Sequence, residues 1–537
     1  MQIINNYKKT RVAILFLCMV LFFSGCKKWV DVNYNPRQLT ETSVSPDLIL
    51  AGVLEKQTGF QLLFLSDWMG YYCNPFPLPG DVSGSYNITP TQNLDLPKGS
   101  TIRTLHLIED KALATGQTFY YGIAKVIKAK VFADDVDKFN NIPYRESGNP
   151  LLYPYPRYDD AKLIYEDLQL VLDTAITLIK NADVEKNTRI VYADIMFHAN
   201  KSKWIKFANT LKLRLLIHQA NRPERATYIQ TEIAKIVAEG SGFLGSGEDA
   251  AVNPGYTEIK PNDLYSMYGF WAGGYESFYR HAMGANVIAM NFLKQNNDPR
   301  LGFFYTTPVL PVPPGSLEPF AQEPPTNYRG NIYGLQFDPG LFPYQDGPFV
   351  SLIGGRTSHG PVTSASSGIL KGYDMDAWML TSVESMFLQA EAIQRGWLSG
   401  NAKQAYLAAV RESFRWLNTG GDRNNLSLSD NVFNNWYDAE TNAGNVNVSW
   451  DHAPDKYKLL MFQKYLAMNG INAYETWTDY RRNGAYPAIP LSAHPARTSS
   501  VLPVRLPYPS YEYKYNSANV SAQGTINIFT SKIWWMP

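Results

Sequence analysis

Residues Val383 to Leu417 read VESMFLQAEAIQRGWLSGNAKQAYLAAVRESFRWL, and they carry two apolar stripes at helical spacing. The first stripe consists of Val383, Met386, Phe387, Ala390, Ile393 and Trp397, and the second of Ala402, Tyr406, Ala409, Val410, Ser413 and Leu417. Between the stripes, Gly396 to Gly400 end the first helix and Asn401 is placed to cap the next. Two helices of about four turns joined by a short loop must pack antiparallel. The stretch therefore predicts the unit of a helical-repeat scaffold.

Helical periodicity recurs outside this stretch. Apolar residues repeat at helical spacing over 120–131 and 161–179, and further helices are predicted near 46–66, 202–220, 224–239 and 455–481. No strict consensus of about 34 residues accompanies them, so the periodicity predicts helix pairs without naming the repeat. The expected fold class is mainly α with little β.

Two segments lack this periodicity. Residues 254–348 contain 13 of the 34 prolines, and 67–105 is similarly rich in proline and glycine. Proline disfavours helix interiors and central strands, so both segments are predicted to be irregular. Long loops are uncommon unless they serve a function, which makes the helices the expected scaffold and the loops the expected working surface. We predict a single large domain over 26–537, with a loop-rich insertion at about 240–375.

The N-terminus is typical of export. Lys8, Lys9 and Arg11 precede an apolar run, 12–23, which at about 18 Å is too short to cross a hydrocarbon core of about 30 Å. Small residues follow the run and lead to Cys26, in a pattern that resembles a bacterial lipobox. Residues 1–25 are therefore predicted to be a signal peptide, with Cys26 as the lipidated residue. The alternative is ordinary secretion with a spare cysteine.

The charge balance excludes some classes of partner. Removing residues 1–25 removes three basic residues and no acidic ones, so the formal charge falls from +1 to −2. A near-neutral surface argues against nucleic-acid binding, which needs a concentrated basic footprint. No later stretch approaches about 18 uninterrupted apolar residues, so the lipid is the expected membrane contact.

Catalytic motifs are missing from the sequence. It contains no H-E-x-x-H zinc helix, no phosphate-binding P-loop and no G-x-S-x-G nucleophile elbow. Gly240, Gly242 and Gly245 match G-x-G-x-x-G, but they follow a predicted helix, so we interpret them as a helix stop. The acidic group around Asp134 has Phe139 where a calcium loop needs Asp or Asn. We therefore predict no catalytic residues, no metal site and no cofactor, and we do not expect an enzyme.

Aromatic residues make up 14 % of the chain and gather partly in the irregular segments. Flat rings suit the apolar face of a sugar and also the side chains of a peptide. The candidate ligand-binding residues come from clusters near 68–76, 265–279 and 333–344: Trp68, Tyr72, Tyr268, Trp271, Tyr275 and Tyr333. The alternative for any single ring is packing in the core or beneath a loop.

Several stretches resemble the SusD/RagB family of nutrient-binding outer-membrane lipoproteins. In chain order these are KKWVDVNYNP (27–36), FNNIPYRES (139–147), WIKFANTLKLRLLI (204–217), NNDPRLGFFY (296–305), the stretch that begins ESMFLQAEAIQRG (384–406), FQKYLAMNGINAYETWTDYRRNG (462–484) and RLPYPSYEYKYN (505–516). The stretch 204–217 is the most specific. Residues of these motifs are expected to be scaffold and not ligand contacts: Trp204, Asn209, Arg214, Arg481 and Arg482.

The resemblance implies a right-handed scaffold of tetratricopeptide-like helix pairs that holds a large irregular, loop-rich half. It implies a lipid-anchored outer-membrane protein that binds an oligosaccharide or oligopeptide and delivers it to a SusC-like TonB-dependent transporter. Lys27 and Lys28 stand where surface-exported lipoproteins often carry acidic residues. The resemblance therefore does not decide which face of the outer membrane the protein occupies. Two other classes stay open: a surface-attached hydrolase and a helical-repeat scaffold that binds only proteins.

Overall fold

The computed structural model describes residues 44–58, 63–73, 82–92, 99–277, 279–280, 283–308, 328–335, 350–355 and 358–537. The predicted signal peptide and Cys26 lie outside these ranges, as do Phe76, Phe337, Phe342 and Tyr344 of the aromatic clusters. The chain divides into Met1–Ser45 and the compact unit Pro46–Pro537, to which every element below belongs.

Helices dominate the compact unit. In chain order the α-helices are α1 Pro46–Lys56, α2 Leu63–Trp68, α3 Val82–Ser85, α4 Gly99–Ala114, α5 Thr118–Phe139, α6 Ala161–Asn181, α7 Ile190–Ala193, α8 Lys201–His218, α9 Ala226–Glu239, α10 Asp263–Tyr268, α11 Val287–Gln295, α12 Leu301–Phe304, α13 Ser382–Gln394, α14 Ala402–Trp416, α15 Leu426–Asn442, α16 Lys456–Ala467, α17 Ala473–Arg482, α18 Ser510–Tyr515 and α19 Ser517–Ser521. Single turns of 3-10 helix occur at Val184–Lys186, Pro223–Arg225 and Ala272–Gly274.

The strands are few and short, as the sequence predicted. They are β1 Tyr72–Cys73, β2 Ile142–Pro143, β3 Tyr158–Asp159, β4 Ala250–Val252, β5 Gly284–Ala285 and β6 Ala377–Leu380. They form three two-stranded antiparallel sheets, β1–β5, β2–β3 and β4–β6. In the β4–β6 sheet a register shift next to Ala250 places Ala251 opposite Trp378.

The helix pair predicted over 383–417 is present as α13 and α14, which pack against each other. The Thr381 side chain accepts a hydrogen bond from the Glu384 amide and caps α13. The Asn401 side chain accepts one from the Gln404 amide at 3.0 Å, which confirms it as the cap of α14. One buried face on each helix then forms the contact between them.

The other helices extend this arrangement into an array. Helix α4 packs on α5, α5 on α6, and α6 on α8, while α8 also contacts α9 and α13. The second part of the array continues from α13 to α14 and α16, with α15 packed on α14. A smaller apolar cluster of residues from α8, α9 and α13 lies beside the main core. The described residues form no helix that is both long enough and apolar enough to cross a membrane.

Four of the sequence predictions need correction. Residues 254–348 were expected to be irregular, but they contain α10, α11 and α12. Helix α4 begins at Gly99, inside the segment 67–105 that was expected to be irregular. The predicted helix over 455–481 is two helices, α16 and α17, because Gly470 has a φ of 70° and turns the chain between them. A Cβ at Gly470 would also collide with the Tyr72 hydroxyl. The predicted helix over 46–66 is likewise two helices, α1 and α2.

The motif residues expected to be scaffold are buried and hydrogen-bonded. They are Trp204, Asn209, Arg214, Arg481 and Arg482. Arg482 on α17 donates two hydrogen bonds to Glu391 on α13, at 2.8 and 2.7 Å. Arg214 on α8 donates to Asp134 on α5 at 3.1 Å. These contacts join helices that are distant in sequence, which confirms the scaffold prediction.

Candidate ligand-binding site

Four of the six candidate aromatic residues lie in the core. The exposed fractions are 1 % for Trp68, 0 % for Tyr72, 1 % for Tyr268 and 7 % for Tyr333. The Trp68 indole N–H donates to the Ser83 carbonyl at 3.2 Å, and the Tyr72 and Tyr268 rings lie 6.5 Å apart. In this structure these four rings pack the interior and present no face to a ligand.

The other two candidates, Trp271 and Tyr275, are exposed to 47 % and 74 %. They lie in a small hairpin, 270–276, which is closed by an antiparallel bridge between Phe270 and Glu276. The Trp271 amide donates to the Tyr275 carbonyl at 2.7 Å, so these two residues stand opposite each other. Opposed residues of an antiparallel pair project from the same face. The structure therefore brings Trp271 and Tyr275 together on the outer face of the hairpin.

Two consecutive glycines allow this tight turn. Gly273 and Gly274 have φ values of 81° and 80°, a conformation that L side chains rarely adopt. A Cβ at Gly273 would lie 3.4 Å from Cε2 of the Tyr275 ring, so the ring rests against bare backbone. The glycines that make this segment a poor helix thus place both rings at the tip.

The base of the hairpin is anchored in the core. Phe270 points inward, with its ring 6.1 Å from Tyr265 and 6.0 Å from His359. The Arg280 guanidinium lies 4.9 Å from the Phe270 ring and 3.2 Å from a carboxylate oxygen of Glu276. Because the inward face is held by packing and by this ion pair, the hairpin backbone that carries the outward rings is positioned before any ligand arrives.

Polar groups lie near the turn of the hairpin, where the His359 ring would be 3.5 Å from a Cβ at Gly274. Tyr279 is half exposed, and Glu258 is mostly exposed with its carboxylate 3.5 Å from the His359 ring. These groups can donate and accept hydrogen bonds at the edge of an aromatic platform. The sequence does not indicate Glu258 or His359, because neither forms a motif with the hairpin.

A cluster of acids and a base exists elsewhere, but it is sealed from solvent. His218 lies 3.2 Å from Asp137 and 3.1 Å from Glu475, and all three side chains are fully buried. The Trp535 indole N–H donates to Asp137 at 2.7 Å. Burial alone would lower the pKa of His218, but the two carboxylates outweigh burial and raise it to about 9. The cluster ties α5, α8 and α17 together and has no access for a substrate.

This cluster predicts a pH dependence of stability. Because the pKa of His218 is raised from 6.5 to about 9 on folding, its charge contributes fully below pH 6.5 and is lost as the pH rises through 9. The free energy of unfolding should fall by on the order of 3 kcal/mol across that window. Thermal unfolding from pH 6 to pH 10 checks this. His218→Gln should flatten the profile and exposed His198→Gln should not; equal slopes in all three proteins would contradict the prediction.

No group of three or more His, Cys, Asp or Glu side chains is arranged to hold a metal ion within the ranges that the structure describes. Cys73, the one cysteine among the described residues, is fully buried, and burial raises the pKa of its thiol. The predicted helix stop also holds, since α9 ends at Glu239, directly before Gly240.

Comparison with known proteins gives a family and a fold. Residues 100–509 match the model of a family described as SusD-like, starch-binding and associating with the outer membrane. A SusD homolog from Bacteroides fragilis is 18 % identical, with a TM-score of 0.68 over 92 % of this chain and 99 % of that one. A putative outer-membrane protein, probably involved in nutrient binding, from Bacteroides vulgatus is 20 % identical, with a TM-score of 0.70 over 92 % and 100 %.

A chitin-binding SusD homolog from Flavobacterium johnsoniae is 20 % identical, with a TM-score of 0.67 over 91 % of this chain and 98 % of that one. No curated protein matches the sequence significantly. At these identities the solved structures show the fold alone, and they confirm the predicted scaffold of tetratricopeptide-like helix pairs.

Proposed function

This chain belongs to the SusD-like family of starch-binding proteins that associate with the outer membrane, and on that premise we propose that it is a nutrient-binding lipoprotein that captures a glycan. The observation that carries the proposal is the pair of exposed rings, Trp271 and Tyr275, on one face of a hairpin with a buried base. The proposed ligand platform is therefore narrower than the six residues chosen from the sequence.

The chemistry of the platform fits a sugar. When a pyranose stacks on an exposed indole face, the apolar surface of both is removed from contact with water. This favours binding without any charge on the ligand. Glu258 contacts His359, whose ring would lie 3.5 Å from a Cβ at Gly274 of the hairpin, and we propose that Glu258 and the half-exposed Tyr279 bond hydroxyl groups of the stacked sugar. A peptide with aromatic or proline side chains would use the same faces, and it is the alternative ligand.

The membrane anchor and the transporter are further parts of the proposal. Cys26 would carry the acyl chains, and a SusC-like TonB-dependent barrel would receive the captured nutrient. The lipobox-like sequence supports the first part, and family membership supports the second. In this mechanism the protein makes and breaks no bond. Closure over the barrel would add contacts that neither partner supplies alone.

Incubation with a panel of soluble glycans and peptides tests the proposal against its alternatives. We expect calorimetry to show binding of at least one glycan, with the chain-length distribution of every glycan and peptide unchanged after prolonged incubation. Shortened products that increase with time would establish a hydrolase instead. Peptide binding without glycan binding would select the other ligand class, and no binding of either would favour the protein-binding scaffold.

A further inference from the structure

Four large apolar side chains are exposed at one end of the helical array. They are Leu48 on α1, Leu113 on α4, and Val191 and Tyr192 on α7. Each is at least 46 % exposed, and Tyr192 reaches 78 %. We call these four residues the α1 patch. The proposed glycan platform uses none of them.

Helices α1 and α7 bring three of these residues to the same end of the array. Helix α1 packs on α7. The Arg189 guanidinium, directly before α7, lies 4.0 Å from the Asp47 carboxylate in the first turn of α1. Leu48 follows Asp47 in the chain, so it lies at the end of the array that carries Val191 and Tyr192.

The last turn of α4 reaches this end as well. Helix α4 packs on α1, and a short turn after Leu113 leads into α5. In the first turn of α5, the amides of Phe119 and Tyr120 donate to the Asn187 side chain at 2.9 and 3.3 Å. The Tyr120 hydroxyl donates to the Thr188 carbonyl at 2.6 Å. Leu113 therefore lies near the segment that leads into α7.

The charged side chains near the patch are of both signs. They are Asp47, Asp110, Lys111, Asp183, Glu185, Lys186 and Arg189. Besides the contact between Arg189 and Asp47, the Lys186 ammonium lies 3.9 Å from the Asp183 carboxylate. A balance this close to neutral does not select a charged partner. What the patch offers is apolar surface.

The tether of the proposed lipid anchor joins the compact unit at this patch. Helix α1 begins at Pro46, two residues before Leu48. If Cys26 carries the acyl chains, residues 27–45 connect the lipid to α1, and at full extension they span at most roughly 70 Å. Such a tether gives this end of the array a high effective concentration at the bilayer, so that even a weak lipid contact there is occupied.

The size of the patch favours a lipid surface over a protein partner. Four side chains of this size expose on the order of a few hundred Å², whereas a stable protein interface needs about 800 Å² from each side. A lipid contact has no such minimum when a covalent anchor supplies most of the affinity. Leucine and valine favour the hydrocarbon boundary, and tyrosine favours the level of the headgroups.

We propose that the α1 patch rests on the membrane surface, with its aliphatic side chains at the hydrocarbon boundary and Tyr192 among the headgroups. The patch is then a second, weak attachment beside the acyl chains, and it orients the helical array relative to the bilayer. Removal of apolar surface from water drives the contact, so neutral and anionic lipids serve equally. The inference rests on the proposed membrane anchor and not on the identity of the nutrient.

Footprinting of an anchored protein tests the inference. The chain from residue 26 onward is coupled through the Cys26 thiol to a maleimide lipid in phosphatidylcholine vesicles, since Cys73 is buried and does not compete. Hydroxyl-radical oxidation of Tyr192 is measured relative to that of exposed Tyr275 in the same sample, which cancels scavenging by the lipid. Relative to the uncoupled protein, the ratio should fall at least about threefold, the value for a ring covered two thirds of the time. An unchanged ratio overturns the inference, as does a fall that requires added phosphatidylglycerol.

A double variant separates lipid contact from mere proximity to the vesicle. Leu113→Ser/Val191→Ser removes apolar surface and keeps Tyr192 as the reporter, so the oxidation ratio should return to that of the uncoupled protein. Both side chains are exposed, and the melting temperature should not change. The matched control is Leu426→Ser, at an exposed leucine that begins α15, and it should keep the protection. Protection that survives the double variant overturns the inference.

Oxidation in whole cells distinguishes a protein cover from a lipid one. Protection of Tyr192 in cells but not on vesicles would mean that a protein covers the patch, and this also overturns the inference. The anchor is tested separately, by mass spectrometry of the N-terminal peptide of the native protein. An unacylated Cys26 would contradict the proposed anchor, whereas the vesicle experiment measures the lipid contact of the patch in either case.

Discussion

An Asp298→Ala variant is expected to lose about 4 kcal/mol of unfolding free energy, because it leaves a fully buried arginine without its counter-ion. Asp298 and Arg300 are both enclosed, and the pair lies in the NNDPRLGFFY motif between α11 and α12. The Arg300 guanidinium bonds the two Asp298 oxygens, with its shortest contact at 2.6 Å. No other carboxylate among the described residues lies within ion-pair distance of Arg300.

The surroundings of Arg300 cannot replace the lost charge. The guanidinium also donates to the Gln463 side chain at 2.8 Å and to the Ser413 hydroxyl at 3.2 Å, and both acceptors are neutral. It lies 5.0 Å from the centroid of the Phe414 ring, which is a weaker partner than a carboxylate. Water has no access to the pair, so the cost of the unpaired cation appears in the stability of the fold.

Denaturant unfolding of the purified proteins measures this loss. In the double variant Asp298→Ala/Arg300→Met the charge is removed with its partner, and about half of the lost stability should return. Asp451→Ala breaks an ion pair with Lys403 that is open to solvent, and it should leave the unfolding midpoint unchanged. If Asp298→Ala unfolds at the wild-type midpoint, the pair does not hold this part of the fold together.

The sequence predicted the helical scaffold well because the relevant signal is local. Apolar spacing and the Asn401 cap specify α13 and α14 within a few turns of chain. The division between α16 and α17 was missed for a physical reason. Gly470 turns there against Tyr72, which is nearly four hundred residues away in sequence, so the local apolar pattern runs on across the break.

The exposure of the candidate aromatic residues could not be predicted as well, since exposure depends on distant partners. Tyr268 and Trp271 belong to one aromatic run and differ by three positions, yet one is buried and the other exposed. Tyr268 packs near Tyr72, which reaches it through the β1–β5 pairing. Nothing within the run itself encodes that contact. Trp271 and Tyr275 lie on one face because of the register of the hairpin. Gly273 and Gly274 permit this turn, but their presence in the sequence does not specify the register.

The cleft beside the β4–β6 sheet and the end of α14, which is lined by Trp378 and Trp416, could not have been predicted from the sequence at all. Its residues come from three segments, near 246–251, 362–378 and 412–426, and none of them carries a recognisable motif.

The double variant Trp271→Ala/Tyr275→Ala is expected to weaken glycan binding about 1,000-fold, or about 4 kcal/mol, which removes measurable binding of a micromolar ligand. Both rings lie on the outer face of one hairpin, so a sugar chain stacked there loses its two largest apolar contacts together. The fold should not suffer, because the hairpin is held from beneath by Phe270 and not by the exposed rings.

Calorimetry with the glycan found in the panel measures the effect, and the melting temperature confirms that the variant is folded. The matched control is Tyr192→Ala, which removes an exposed ring from α7 and should leave affinity unchanged. Each single variant should lose less than the double, because the remaining ring keeps part of the stacking surface. If the double variant binds the glycan with wild-type affinity, the glycan site does not lie on the hairpin, although the protein is still a glycan-binding protein. A partial loss in each single variant and a larger loss in the double variant, with an unchanged melting temperature, would establish that the two rings act as one platform.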